Sequence, residues 1–267
     1  NEGVVAELES MGIKVIKTKI GSPHVIKAMN DWTRPGRGHE NDIVCGWEAN
    51  GGFLLGSDIK LFDKDLRSLP TRDAVFPTLS GILLSGIKRV SVKELIEKET
   101  PAVYNGAGVF DDFRDKDGKK LTGNAGFGLM KETMAKFSPK LEDETVVRVN
   151  FDKGTVLRRA RDEEAGEGIA DKYFFETVEE NIDTLSPADL AEITRVKDLF
   201  GKNILTKERG FEPIASISVL DGIKIFFSNG EISHFRPSGN APEFRNYTTA
   251  ATQERADAML ARSEERR

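Results

Sequence analysis

The chain has 267 residues, with 39 Lys and Arg against 44 Asp and Glu and a net charge of −5. Its 38% hydrophobic content is enough for a sizeable core, but no run of about 18 apolar residues occurs that would span a bilayer, and the acidic balance argues against non-specific nucleic-acid binding. The single cysteine, Cys45, excludes an internal disulfide and a thiolate zinc site.

The first residues carry a helical pattern, with Val4, Val5, Leu8 and Met11 on one face of Glu2 to Met11. Gly12 fits the C′ position that ends such a helix, and Ile13 to Ile20 (IKVIKTKI) then reads as a strand. An α–β unit that opens on its helix, at an asparagine, is expected to be a fragment of something longer; a processed N-terminus is the other reading. With no signal-peptide pattern in these residues, the chain is expected in the cytoplasm.

Gly21-Ser22-Pro23 predicts a helix start, with Ser22 as N-cap, Pro23 in the first turn, and Val25, Ile26 and Met29 as the apolar stripe. A polar loop from Thr33 to Asn41 leads to two strands, Asp42 to Trp47 and Phe53 to Leu55. Glu48-Ala49-Asn50-Gly51-Gly52 joins them as a hairpin. Thr71 is expected to cap a long apolar helix, Asp73 to Ile87, and Ser91-Val92-Lys93-Glu94 is a capping box that opens a shorter one. Residues 1–100 therefore read as an α/β domain, a mixed sheet with helices on both faces.

A second domain is expected over 101–267. Its first part, near 105–180, is rich in Gly, Asp and Lys and reads as a polar insertion of short elements and long solvated loops. Order returns at Ser186-Pro187-Ala188-Asp189, a helix start that runs through Ile193 and Val196 to Gly201. Ile214 to Leu220, Ile223 to Ser228 and Glu231 to Arg236 follow as strands, separated by Asp221-Gly222 and Asn229-Gly230, for which type I′ turns are expected. A loop from Pro237 to Pro242, a fourth strand from Glu243 to Thr248 and a helix from Thr252 to Arg262 close the chain. The predicted class is α+β, a four-stranded antiparallel sheet with helices on one face.

Two loops carry chemistry. In Arg236-Pro237-Ser238-Gly239-Asn240 a guanidinium, a hydroxyl, a glycine that lets the backbone approach and a carboxamide leave one strand end together. Arginine clamps a phosphate through two N–H groups, and a hydroxyl with successive amides makes an anion nest. A plain turn with its arginine in solvent is the competing reading. At the hairpin tip, Glu48 and Asn50 could hydrogen-bond vicinal sugar hydroxyls, although Asn-Gly is also simply a favoured hairpin dipeptide. Ser22, His24 and Lys27 crowd one helix start, where anions are attracted, or where an ordinary cap sits beside a solvated lysine. His24, His39 and His234 show no metal-ligand spacing, and GxSxG, Walker and GxGxxG motifs are absent.

The run from Asp221-Gly222-Ile223 through Asn229-Gly230-Glu231 into RPSGNAPEFRNY resembles the last domain of bacterial phosphohexomutases, the phosphomannomutase/phosphoglucomutase family. Gly46-Trp47-Glu48-Ala49-Asn50-Gly51, GGFLLGSD (51–58) and Thr71-Arg72-Asp73-Ala74 resemble the third domain. The resemblance covers roughly residues 1–100 and 180–260. It implies that Arg236, Ser238, Gly239 and Asn240 hold the non-transferring phosphate of a hexose phosphate, of mannose or glucose. It further implies that Glu48 and Asn50 contact sugar hydroxyls, with Asn50 standing where many members have Ser. Ser22, His24 and Lys27 fall where the family offers a Lys or His to the substrate, and Arg245, beyond the phosphate loop, is a further candidate.

The family's phosphoserine loop and its Asp-rich magnesium loop do not occur in this sequence. The complete enzyme would use both to exchange phosphate between the 6- and 1-positions of a hexose. This chain is expected to hold no metal, to bind neither nucleic acid nor membrane, and to be inactive alone. The alternative is a non-catalytic sugar-phosphate-binding module; a structural domain with no ligand is a third reading.

Overall fold

The computed structural model describes residues 2–39, 41–48, 51–61, 63–99, 103–163 and 172–264. The chain divides into two compact units, Asn1–Pro101 with Phe174–Glu176, and Ala102–Tyr173 with Thr177–Arg267.

In the first unit, helix α1 (Glu2–Ser10) ends as the sequence suggests. Gly12 takes φ 77°, and the amides of Gly12 and Ile13 return to the carbonyls of Glu9 and Leu8, a paired closure that needs a left-handed residue at that point. Residues 13–20 do not form the expected strand. A strand needs a ladder partner, and this stretch instead runs beside helix α2 (Ser22–Trp32), with Ile16, Ala28 and Trp32 lining one small cavity and the Lys14 ammonium 4.3 Å from the centre of the Trp32 ring.

Ser22 is also not the N-cap of α2. That position falls to Gly21, at φ 128°, and Ser22 lies inside the helix with its hydroxyl committed elsewhere. Strands β1 (Cys45–Trp47) and β2 (Phe53–Leu55) pair as the predicted hairpin, Gly46 opposite Leu54. Gly46 admits the helix: a Cβ there would overlap Val25 Cγ1 and lie 3.2 Å from Met29 Sδ. Val25 and Met29 close over Leu54 to make the unit's core cluster.

A small hairpin follows, β3 (Ile59–Leu61) with β4 (Lys64–Leu66), and then β5 (Leu69–Asp73), which joins the sheet in the order β1-β2-β5. Thr71 therefore sits within a strand and caps nothing; the Asp73 carboxylate accepts from the amides of Val75 and Phe76 at the start of α3 (Val75–Lys88). The capping box is present at α4 (Val92–Glu99): the Ser91 amide donates to the Glu94 carboxylate at 2.8 Å and the Glu94 amide to Ser91 Oγ at 3.1 Å. Among the described residues no single helix is long and apolar enough to cross a membrane; α3 and α4 satisfy that test only as a pair bent by 92°.

The second unit is built on an antiparallel sheet larger than the four strands expected. Its elements are β6 (Tyr104–Phe110), α5 (Gly123–Phe137), β7 (Val146–Asn150), β8 (Thr155–Arg161), β9 (Tyr173–Asn181), α6 (Pro187–Leu199), β10 (Ile214–Ser218), β11 (Ile223–Phe227), β12 (Ile232–Pro237), β13 (Phe244–Ala250) and α7 (Gln253–Glu264). The strand order is β6-β13-β12-β11-β10-β7-β8-β9. The predicted meander and its fourth strand are β10 to β13. The supposed polar insertion supplies the other four strands and a helix; its Asp- and Lys-rich stretch 111–122 is the connection between β6 and α5, and 164–171 lies outside the described residues.

Helix α6 starts as predicted, Ser186 Oγ accepting from the Asp189 amide. Gly222 and Gly230 take φ of 72° and 84°, but Asp221 and Asn229 do not enter that region, so the turns are not type I′. At the second, the Gly230 amide meets the Phe227 carbonyl and the Phe227 amide meets the Glu231 carbonyl, a turn followed by one left-handed glycine.

Met134 of α5, Ile193 and Val196 of α6 and Met259 of α7 pack with Ile217, Ile223 and Ile225 into a single core on one face of the sheet. Side chains alternate along a strand. The opposite face thus carries Lys224, His234, Arg236, Arg245 and Tyr247, in which Lys224 pairs with His234, His234 with Tyr247 and Arg236 with Arg245.

Candidate functional site

In the second unit, residues 238–243 connect β12 to β13. The Ser238 amide donates to the Glu243 carbonyl at 2.9 Å and the Glu243 amide to the Ala241 carbonyl at 2.8 Å, so the loop is closed by its own backbone. Ser238 is buried, whereas Gly239 and Asn240 are exposed. Ser238 Oγ accepts from the Asn240 amide at 3.3 Å, which leaves its own proton for an acceptor outside the loop. The Gly239 amide donates to no described residue.

Arg236, at the end of β12, is only 9% exposed. The competing picture of an arginine in solvent is therefore not what the fold contains. Its Nη1 donates to Asp221 Oδ2 at 3.0 Å, and its Nε is buried with no partner. Asp221 comes from the turn between β10 and β11. Gly222 lets that turn lie against β12, since a Cβ on it would overlap the Phe235 carbonyl and stand 2.9 Å from Arg236 Cα. His234 Nε2 lies 2.6 Å from the Asp221 carbonyl oxygen; because a carbonyl only accepts, Nε2 carries the proton. Burial, foremost, holds the His234 imidazole below the ordinary histidine range, so the ring is neutral.

Arg245, directly across the ladder from Arg236, gives its Nε and Nη2 to Glu243 Oε1 at 2.9 and 2.6 Å. The bonds to Glu243 and then to Tyr247 push its pKa above the ordinary arginine value. Two guanidinium groups can stand opposite one another because each has its own carboxylate. Lys224 adds a third positive charge to this face. An oxyanion site with a slight positive excess is what these groups can form.

In the first unit the hairpin tip is closed by the Glu48 amide on the Gly52 carbonyl at 2.8 Å and the Gly51 amide on the Glu48 carbonyl at 3.0 Å. The Glu48 side chain is buried against the start of α2. Its Oε2 accepts from Ser22 Oγ at 2.8 Å and from Arg72 Nε at 2.7 Å, while Oε1 accepts from no described residue. Ser22 and Glu48 are thus brought together by the packing of α2 on the hairpin, and Arg72 of β5, which sequence analysis assigned no role, completes the cluster. A carboxylate held on one oxygen and open on the other is an acceptor for a hydroxyl donor.

Asn50 lies outside the described residues. Lys27 stands one turn beyond this cluster and pairs with Asp31 at 2.6 Å; His24 meets the edge of the Phe175 ring at 5.9 Å. Among the described residues no group of three or more His, Cys, Asp or Glu is placed to hold a metal ion.

The sequence has relatives of known kind. A family model described as phosphoglucomutase/phosphomannomutase, alpha/beta/alpha domain III, matches residues 1–103. A phosphomannomutase of Salmonella muenchen is 29% identical over 242 residues, which cover 91% of this chain and 34% of the relative. A phosphomannomutase of Sinorhizobium fredii is 27% identical over 261 residues, 98% of this chain and 38% of the relative. The chain therefore spans little more than a third of the length of these proteins, and its residues 1–103 are similar to the alpha/beta/alpha domain III of the phosphoglucomutase/phosphomannomutase family.

Proposed function

We propose that the chain supplies the sugar-recognition and phosphate-binding part of a phosphomannomutase-like phosphohexomutase, which interconverts hexose 6-phosphate and hexose 1-phosphate. The observation that carries this reading is the buried Arg236, with an unpartnered Nε, at the mouth of a loop that presents the Ser238 hydroxyl and the Gly239 amide. Such donors match a phosphate dianion, which has acceptors only. Arg236, Ser238, Gly239 and Asn240 take the phosphate that is not transferred, and Glu48 with Asn50 takes sugar hydroxyls.

A mutase must accept its substrate in two orientations, and the two clusters divide that demand. The phosphate loop is specific for charge and geometry. Glu48, braced by Ser22 and Arg72, offers one open oxygen to whichever hydroxyl arrives. Phosphoryl transfer also needs a nucleophile and a cation, for which the family's phosphoserine and magnesium are the candidates, in a cytoplasmic enzyme of which this chain is part. The chain alone binds and does not turn over.

Isothermal titration of the purified chain with mannose 6-phosphate and with glucose 6-phosphate tests this. Binding is expected, and Arg236→Ala is expected to weaken it by at least about tenfold, the cost of a charge-assisted contact. A wild-type chain that binds neither sugar phosphate, or one that catalyses mutase turnover free of contaminating enzyme, would overturn the assignment.

A further inference from the structure

Three arginines of the second unit show two uses of the same group. Arg245 commits Nε and Nη2 to Glu243, and Arg148 commits the same pair to Ser216 at 2.9 and 2.7 Å. Those two nitrogens form the side edge of a guanidinium, whose parallel N–H bonds match two oxygens of one oxyanion. Arg236 is held differently: Asp221 takes Nη1 alone, and neither Nε nor Nη2 has a partner among the described residues.

We propose that Asp221 is a positioning residue for oxyanion capture: by engaging Nη1 it fixes the plane of the Arg236 guanidinium with the Nε–Nη2 edge unpaired, and His234 holds Asp221 in place to do so. Asp221 is itself tied down twice. Its carbonyl receives the His234 Nε2 proton at 2.6 Å, and Gly222 behind it is wedged against the Arg236 main chain, where any side chain would collide. A flexible arginine loses rotamer freedom when it binds a ligand. With the guanidinium already ordered by Asp221, that loss precedes binding. A carboxylate that gripped the side edge, as Glu243 grips Arg245, would instead compete with the ligand. The inference rests on the reading of Arg236 as a phosphate ligand.

The test is titration of the full chain with inorganic phosphate and with mannose 6-phosphate, read by calorimetry and by the Arg236 Nε–H cross-peak in nitrogen-15 NMR. Asp221→Ala is expected to lower affinity about tenfold and to abolish the phosphate-induced shift of that cross-peak. Asp221→Asn, which keeps an acceptor oxygen in the same place, is expected to retain both. Asp221→Glu keeps the charge but displaces the acceptor, and is expected to behave as the alanine variant; it decides the matter if the alanine variant does not fold. Equal or tighter binding by Asp221→Ala or Asp221→Glu, or failure of Asp221→Asn to rescue, overturns the positioning role while leaving phosphate binding intact. If the wild-type chain binds neither probe, the phosphate assignment and this inference both fall.

Discussion

Each of the two clusters pairs a carboxylate with a guanidinium, but burial falls on opposite partners. Around Arg236 the cation is the more enclosed member, its side chain 11% exposed against 28% for Asp221; around Glu48 it is the anion, 6% exposed against 53% for Arg72. A buried charge with one charged partner still carries unmet hydrogen-bonding capacity. The unmet capacity is donor at Arg236 and acceptor at Glu48, the complement of a phosphate and of a hydroxyl. Next to Arg236, His234 makes a separate prediction. Burial, ahead of the opposing bond to the Asp221 carbonyl, lowers its folded pKa below the ordinary value of 6.5, with Lys224 and Arg236 adding to the effect and the Asp221 charge opposing it. A base whose folded pKa is depressed contributes stability that is complete above its unfolded pKa and is lost as pH falls through the folded one. Thermal midpoints measured between about pH 7.5 and pH 5 should therefore fall on acidification in the wild type and fall less in His234→Gln. Identical slopes in the two proteins would mean that the ring titrates normally.

At the level of elements, the position of Ser22 against Glu48 depends on how closely α2 approaches β1, and Gly46 sets that distance. A side chain there must displace Val25 and Met29. Gly46→Val should destabilise the first unit by roughly 1–3 kcal/mol, as overpacking does. It should also weaken the proposed hexose-phosphate binding, because the helix start moves off the hairpin tip; circular dichroism melts and titration of one protein sample report both. The same elements show what a sequence discloses. The Ser91–Glu94 capping box, the Ser186 cap, the Gly12 closure and the hairpin were legible because each is decided within a few residues. The strand expected at 13–20 and the cap expected from Thr71 failed because alternation and hydroxyls do not say whether a partner strand is present. Strands β6 to β9 went unseen for the converse reason. Ala107 of β6 pairs with Tyr247, far along the chain, and Arg158 and Arg159 of β8 mask its pattern with charge. The candidate site divides along the same line. Arg236, Ser238 and Glu48 lie in contiguous motifs, whereas Asp221 and Arg72 reach their partners across strands and have no local signature.

At the level of the whole molecule, two cores of unequal size argue for two stabilities. The first unit's cluster consists of Val25, Met29 and Leu54 with Ile26 and Val44 against it, while Val75, Leu79, Ile82, Leu83 and Ile87 of α3 remain exposed. The second unit joins three helices to an eight-stranded sheet through a core that includes Ile193, Val196, Ile217, Ile223 and Ile225, all fully buried or nearly so. Hydrophobic stabilisation scales with the apolar area removed from water, so the first unit should melt first. Leu54 is completely buried in the smaller cluster and Ile225 in the larger. Truncating either removes methyl groups and leaves a cavity, at a cost of about 2–5 kcal/mol. Scanning calorimetry is expected to resolve two transitions, with Leu54→Ala lowering only the first and Ile225→Ala only the second. A single transition displaced by both substitutions would show that the two units unfold as one cooperative body, since coupling of that kind transmits a local loss to the whole.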